Sequence, residues 1–176
     1  VAIFLLSYSQ VFAQNNTVVN AAPFCADSGI TFPANTIGGS AQGGPNYGCL
    51  GARPDPAWFF STIQTPGSHA ISITSSPAVD IDMAIWGPFP AGTSLADVST
   101  MLNSGNMPPV DCDFSGFSSG VMDFTSTGVG EIWLTLITNF SNTATNISAI
   151  QTAGTGVTDC SILPPSVSIA VAPASV

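Results

Sequence analysis

Apolar and polar residues alternate with a period near two along much of the chain. In His69-Ala70-Ile71-Ser72-Ile73-Thr74 and Ile132-Trp133-Leu134-Thr135-Leu136-Ile137-Thr138, β-branched and aromatic residues dominate. That is the pattern of strands whose successive side chains point to opposite faces of a sheet. The same reading predicts strands over 57–63, 69–74, 79–86, 121–125, 131–138 and 146–151. Turn clusters such as Thr65-Pro66-Gly67 and Gly128-Val129-Gly130 separate these runs at the short intervals of an antiparallel sandwich. One helix is expected over 94–102, where Leu95, Val98 and Leu102 share a face and Asp97 sits in the first turn. Residues 15–46 read as polar loop, punctuated by Pro23, Pro33, Pro45 and two Gly-Gly pairs.

The two ends differ from this body. Residues 1–14, VAIFLLSYSQVFAQ, have the apolar run and the small residues before Gln14 of a signal peptide's end, with an N-terminal strand as the rival reading. The run is too short to span a bilayer, which needs about 20 apolar residues. Residues 163–176 open on Pro164-Pro165 and then alternate Val167, Ile169 and Val171 with Ser166, Ser168 and Ala170. They read as a proline-stiffened linker into one more strand, which either completes the same sandwich or pairs with another domain or copy. The expected division is therefore 1–14, a β-sandwich domain over 15–162, and the tail.

Composition narrows the function. At 176 residues the chain is one domain's worth with a real core, yet only 6% of it is charged. Ten acids face one base, Arg53, for a formal net charge of −9. Such a surface repels nucleic acid and anionic membranes. A polar, uncharged exterior suits a protein that contacts copies of itself, neighbouring domains of a surface protein, or glycans.

Four cysteines, Cys25, Cys49, Cys112 and Cys160, are widely spaced and lack the C-x-x-C pairing of zinc or redox sites. Two disulfides are expected, which points to an oxidising, extracellular compartment. Three connectivities are possible. The expected one joins Cys25 to Cys49 and Cys112 to Cys160, each tying a loop-rich region to a neighbouring strand.

Candidate chemistry is sparse. Asp80 and Asp82 sit two apart in a strand-like run, so both fall on one face and can share a cation. With almost no basic side chain to neutralise them, calcium is the natural counter-ion, and two solvated acids at a strand end are the plainer alternative. Asp111 and Asp113 flank Cys112 in the same relation, but Pro108-Pro109 and Gly116 around them suggest a solvated loop. His69 is the only histidine and no Ser or Cys lies in a G-x-S-x-G elbow, so His69 reads as a strand-start residue and the chain as no enzyme. Glycosylation sequons occur at Asn15, Asn139 and Asn146, at expected loops or strand ends.

The stretch ITFPANTIGGSAQGGPNYGCLGARPDPAW over 30–58, followed by Asp80-Ile81-Asp82 and Trp86-Gly87-Pro88-Phe89, resembles modules of large secreted and cell-surface proteins of Bacteroidetes, found among gliding-motility and type IX secretion cargo proteins. Leu136-Ile137-Thr138-Asn139-Phe140-Ser141 and the run from Gln151 to Cys160 match the module's second half. The resemblance implies a jelly-roll-like β-sandwich, distantly similar to pre-peptidase C-terminal domains, with a calcium site near the D-x-D strand. This chain departs where a cysteine often precedes Trp-Gly-Pro, since Ile85 stands there and one disulfide of that set is missing. The expectation is a structural or adhesive surface protein, a fibre subunit joined through strands. A calcium-dependent carbohydrate-binding accessory module, using Trp58 and Trp86 as exposed platforms, is the alternative.

Overall fold

The computed structural model describes residues 15–34 and 38–164. The expected leader or strand over 1–14 and the tail strand beyond Pro164 lie outside the described residues. Ten strands and one helix follow in the order β1 (Ala22–Pro23), β2 (Ile30–Ala34), β3 (Pro56–Thr65), β4 (Gly67–Ser76), β5 (Asp82–Phe89), α1 (Leu95–Asn103), β6 (Asp111–Asp113), β7 (Ser119–Ser126), β8 (Ile132–Thr138), β9 (Thr145–Gly154) and β10 (Val157–Thr158). They build a jelly-roll-like sandwich. One sheet has the order β1-β3-β8-β5-β6 with β10 also on β3, and the facing sheet has the order β2-β9-β4-β7. Every pairing is antiparallel except β1 with β3.

The two sheets differ in burial because only one of them is covered on both faces. In β4, inward Ile71 and Ile73 alternate with polar Ser72 and exposed Thr74, the one-sided pattern of a solvated sheet. All seven residues of β8 are buried. Its inner face joins Trp133 and Ile137 to Phe32, Phe59, Ile73, Met83 and Ile147 between the sheets. Its outer face joins Leu134 and Leu136 to Trp58 and Trp86, under a lid made by Val98 and Leu102 of α1 and by Tyr47 and Leu50 of the β2–β3 connection. The molecule is thus three layers deep. Residues 38–55, of which 38–46 belong to the stretch expected as polar loop, form part of the lid, and Arg53 stacks 4.2 Å from the Tyr47 ring centre within it.

The expected disulfides are corrected. Cys25 joins Cys160 and Cys49 joins Cys112. The reason is topological. The edge of β3 takes β1 in parallel at Phe59 and Phe60, and β10 in antiparallel at Ile63 and Thr65, so the two ends of the domain arrive on one strand. Thr158 completes the junction, donating its hydroxyl to Asp27 Oδ2 at 2.7 Å and accepting from the Ala26 amide at 2.9 Å. The 38–55 lid meanwhile crosses the outer face and carries Cys49 to β6. Proximity along the chain misled here because a sandwich interleaves distant segments.

Two further expectations are corrected. Trp58 and Trp86, read as exposed, are 0% exposed. Their rings lie 5.4 Å apart, tilted by 39°, beneath the lid, with Trp86 Nε1 donating to the Asn46 carbonyl. Asp111 and Asp113 are not solvated loop acids but form β6 with Cys112, and Asp111 Oδ2 accepts the Asp123 amide of β7 at 2.7 Å. A carboxylate from one sheet thereby takes up one edge amide of the other. Among the described residues no helix is long and apolar enough to cross a membrane.

Candidate cation site

Asp82 opens β5, and its register opposite Thr138, with Ala84 opposite Leu136 and Trp86 opposite Leu134, puts its side chain on the lid side of the six-stranded sheet. Strand structure begins only at Asp82, so Asp80 lies in the lead-in, half-buried. That lead-in is held from three directions. Ser75 Oγ accepts the Val79 amide at 2.9 Å, and the Phe117 carbonyl accepts the Ile81 amide at 3.1 Å. Asp80 gives its amide to Ser141 Oγ at 2.8 Å, while its carbonyl accepts the Ser141 amide at 3.2 Å.

The electrostatics of this corner are unbalanced. Asp82 is 1% exposed, and its Oδ2 has no hydrogen-bond donor among the described residues. Asp80 Oδ1 is likewise buried without a donor. Burial first, then the negative charges of Asp80 and of Asp113 on β6, push the Asp82 carboxyl up to about 7. Arg53 is committed elsewhere, to the Tyr47 ring and the Leu50 carbonyl. A buried carboxylate oxygen without a donor is expensive, and either a proton or a cation relieves it.

A pH dependence follows from that shift. The folded chain holds the Asp82 proton more tightly than the unfolded chain, so this group lowers stability as the pH rises from about 4 to about 7. In metal-free buffer, going from pH 5 to pH 8 should cost roughly 2–3 kcal/mol through Asp82. Asp82→Asn should remove that slope in urea unfolding curves, and an unchanged slope would refute the assignment.

The other candidates fall differently. The ligand atoms of Cys25, Asp27 and Cys160 come together within 4.8 Å, but both sulfurs are spent in the disulfide and Asp27 accepts from Thr158. No other group of three His, Cys, Asp or Glu ligand atoms is as tight among the described residues, so Asp80, Asp82 and Asp113 do not converge on one point. His69 is more than a strand-start residue. It is 2% exposed, its Nδ1 meets Gln151 Oε1 at 2.8 Å and its Nε2 meets Ser126 Oγ at 3.0 Å, and its ring stacks on Phe124. Glutamine in the orienting place brings no negative charge to an imidazolium, and the Gly156 backbone lies against the ring, so the trio reads as a buried structural network.

No family model, curated protein or solved structure matches the chain. The site is therefore judged on its own residues. Of the sequons, Asn146 is exposed on β9 and Asn15 is half-buried. Asn139 is 0% exposed and its amide donates to the carbonyls of Ala34 and Thr143, so the folded chain cannot present it to a glycan. Asp113 was missed as a neighbour of Asp82, because only the Met83–Asp113 pairing of β5 with β6 brings it there.

Proposed function

We propose that this chain is a structural, adhesive building block of an extracellular surface, assembled through strand-mediated contacts between copies. The burial of all three tryptophans carries this reading over the carbohydrate-binding one. Trp58, Trp86 and Trp133 are at most 2% exposed, so none offers the flat open ring on which a sugar stacks. The two disulfides agree with an oxidising compartment. The exterior of the four-stranded sheet is built of small, mostly uncharged residues, with Thr31, Ser148 and Ser72 around exposed Val121 and Ile150 and Asp123 as its charged residue.

The edges favour one place for an incoming strand. The edge of β3 is covered by β1 and β10, and on β7 the Asp111 carboxylate takes up one edge amide, that of Asp123. Among the described residues β2, which contains Pro33, forms the other edge of the four-stranded sheet, where a shallow groove is lined by Ser28, Gly29, Ile30, Thr31 and Ser148 to Ile150. The alternating tail over 166–172 has the pattern of a donated strand, with Val167, Ile169 and Val171 as its apolar face. Deleting residues 166–176 should reduce assembly at least tenfold by sedimentation and electron microscopy, and Ile150→Asp should do the same from the acceptor side. If both variants assemble like the full chain, strand donation is wrong.

A further inference from the structure

We infer that Phe114, Phe117 and Phe140, with the carboxylates of Asp80 and Asp113 beside them, form a docking surface for an arginine-bearing segment of another protein. The inference is independent of strand donation. The surface is built on the β6–β7 and β8–β9 connections, whereas the acceptor edge for an incoming strand is β2.

These three rings stay in solvent, at 46%, 66% and 38% exposure in chain order, while Phe24, Phe32, Phe59 and Phe89 are buried. They are gathered rather than scattered. Phe114 and Phe140 meet edge to face with centres 5.6 Å apart. The Phe117 carbonyl accepts the Ile81 amide at 3.1 Å and the adjacent Asp80 amide donates to Ser141 Oγ at 2.8 Å, so both loops are tied to one lead-in. Each loop is pinned again. The Ser118 carbonyl accepts the Ser75 amide at 2.9 Å, and the side-chain amide of buried Asn139 donates to the Thr143 carbonyl at 2.7 Å. A fixed apolar patch on a polar exterior marks a place of contact, and a partner that docks there loses little to ordering the loops.

Charge decides the occupant. Asp113 directly precedes Phe114, and Asp80 is bonded to Ser141, the residue after Phe140. Both are half-buried, and both act on Asp82, whose carboxyl their charges push up. No base of the chain offsets them, since it holds no lysine and its one arginine lies over the Tyr47 ring. A second copy would therefore bring like charge and no free cation, and an anionic membrane would be repelled. A sugar stacks on a flat open face, and the 90° between the Phe114 and Phe140 rings leaves them no shared plane. An arginine fits each feature. Its planar guanidinium stacks on aromatic faces and forks onto carboxylates, while an apolar neighbour in the same segment covers the rings.

The test is fluorescence anisotropy of the full chain with a fluorescein-labelled peptide of alternating arginine and leucine, beside its lysine and glutamate counterparts. The arginine peptide should bind saturably, about fivefold more tightly than the lysine one, and lose roughly tenfold in affinity between about 0.05 and 0.5 M NaCl, while the glutamate peptide should not bind. Phe117→Ser and Asp113→Asn should each weaken binding about fivefold. Val129→Ser, which removes a side chain just as exposed on the β7–β8 turn, should leave it unchanged. Thermal unfolding checks that each variant folds, and the largely solvated Phe117 can be replaced without touching the core. The inference is overturned if the arginine peptide shows no saturable binding, or binds Phe117→Ser and Asp113→Asn as it binds the parent, which is a response to net charge alone. It is also overturned if another occupant takes the surface. Phe117-dependent self-association in sedimentation, in place of peptide binding, would assign it to a second copy, and Phe117-dependent binding of neutral oligosaccharides in its place would assign it to a glycan.

Discussion

Replacing Cys25 and Cys160 together with serine should cost the domain about 3–5 kcal/mol in guanidinium unfolding. The bridge spans 135 residues, and a loop of that size is worth about 5 kcal/mol in lost chain entropy of the unfolded state. It also secures an otherwise thin junction. β1 and β10 contribute two residues each, too few to hold β3 by hydrogen bonds alone. The loss should therefore be uneven, with amide exchange rising first at Phe24 and Asp159, whose amides bond across this junction to the carbonyls of Phe60 and Thr62. A cost below 1 kcal/mol, or uniform loss of protection, would mean that the ends are held by something else.

Truncating the paired tryptophans should be as damaging. Trp58→Ala or Trp86→Ala should each destabilise the chain by about 3–5 kcal/mol, because each empties a large volume beneath the lid that α1 and the Tyr47 loop cannot collapse to fill. Loss of the Trp86 Nε1 bond also strands the Asn46 carbonyl. Urea unfolding gives the cost directly. A variant that stayed within 1 kcal/mol of the parent yet lost binding to an insoluble polysaccharide would reverse the functional reading and restore the tryptophans as sugar platforms.

Strand positions were legible wherever burial imposed a regular pattern. The expected strands at 57–63, 69–74, 121–125, 131–138 and 146–151 lie within β3, β4, β7, β8 and β9, apart from the terminal residue Glu131, and the helix over 94–102 matches α1 within a residue at each end. Its start was readable from the apolar face of Leu95, Val98 and Leu102 and from Asp97 in the first turn, and the structure adds Ser94, whose hydroxyl accepts the Asp97 amide as an N-cap. The elements missed were β1, β2, β6 and β10, whose sequences hold proline, aspartate or too few residues to show a period. Their strand character comes from the neighbours they pair with. The tryptophans were misjudged for a related reason: Trp58 and Trp86 occupy the polar phase of a one-sided strand, and that phase is buried by α1 together with the 38–55 segment, whose sequence has no periodicity. At the candidate site the i, i+2 spacing of Asp80 and Asp82 was visible, but the burial of Asp82 and the approach of Asp113 are products of tertiary pairing.

The meeting of both ends on β3 governs how the molecule would carry tension. A pull applied at Asn15 and at Pro164 reaches Cys25 and Cys160 after peeling only the short flanks, and there the force passes through a covalent bond. The residues between the two cysteines then bear no load. Without the bridge, stretching that interval would release roughly 450 Å of chain at about 3.4 Å per residue, whereas with it the extension is limited to the ten residues 15–24 and the few after Cys160, roughly 50 Å. Pulled by its own two ends, the domain would behave as a nearly inextensible link once those flanks are drawn out.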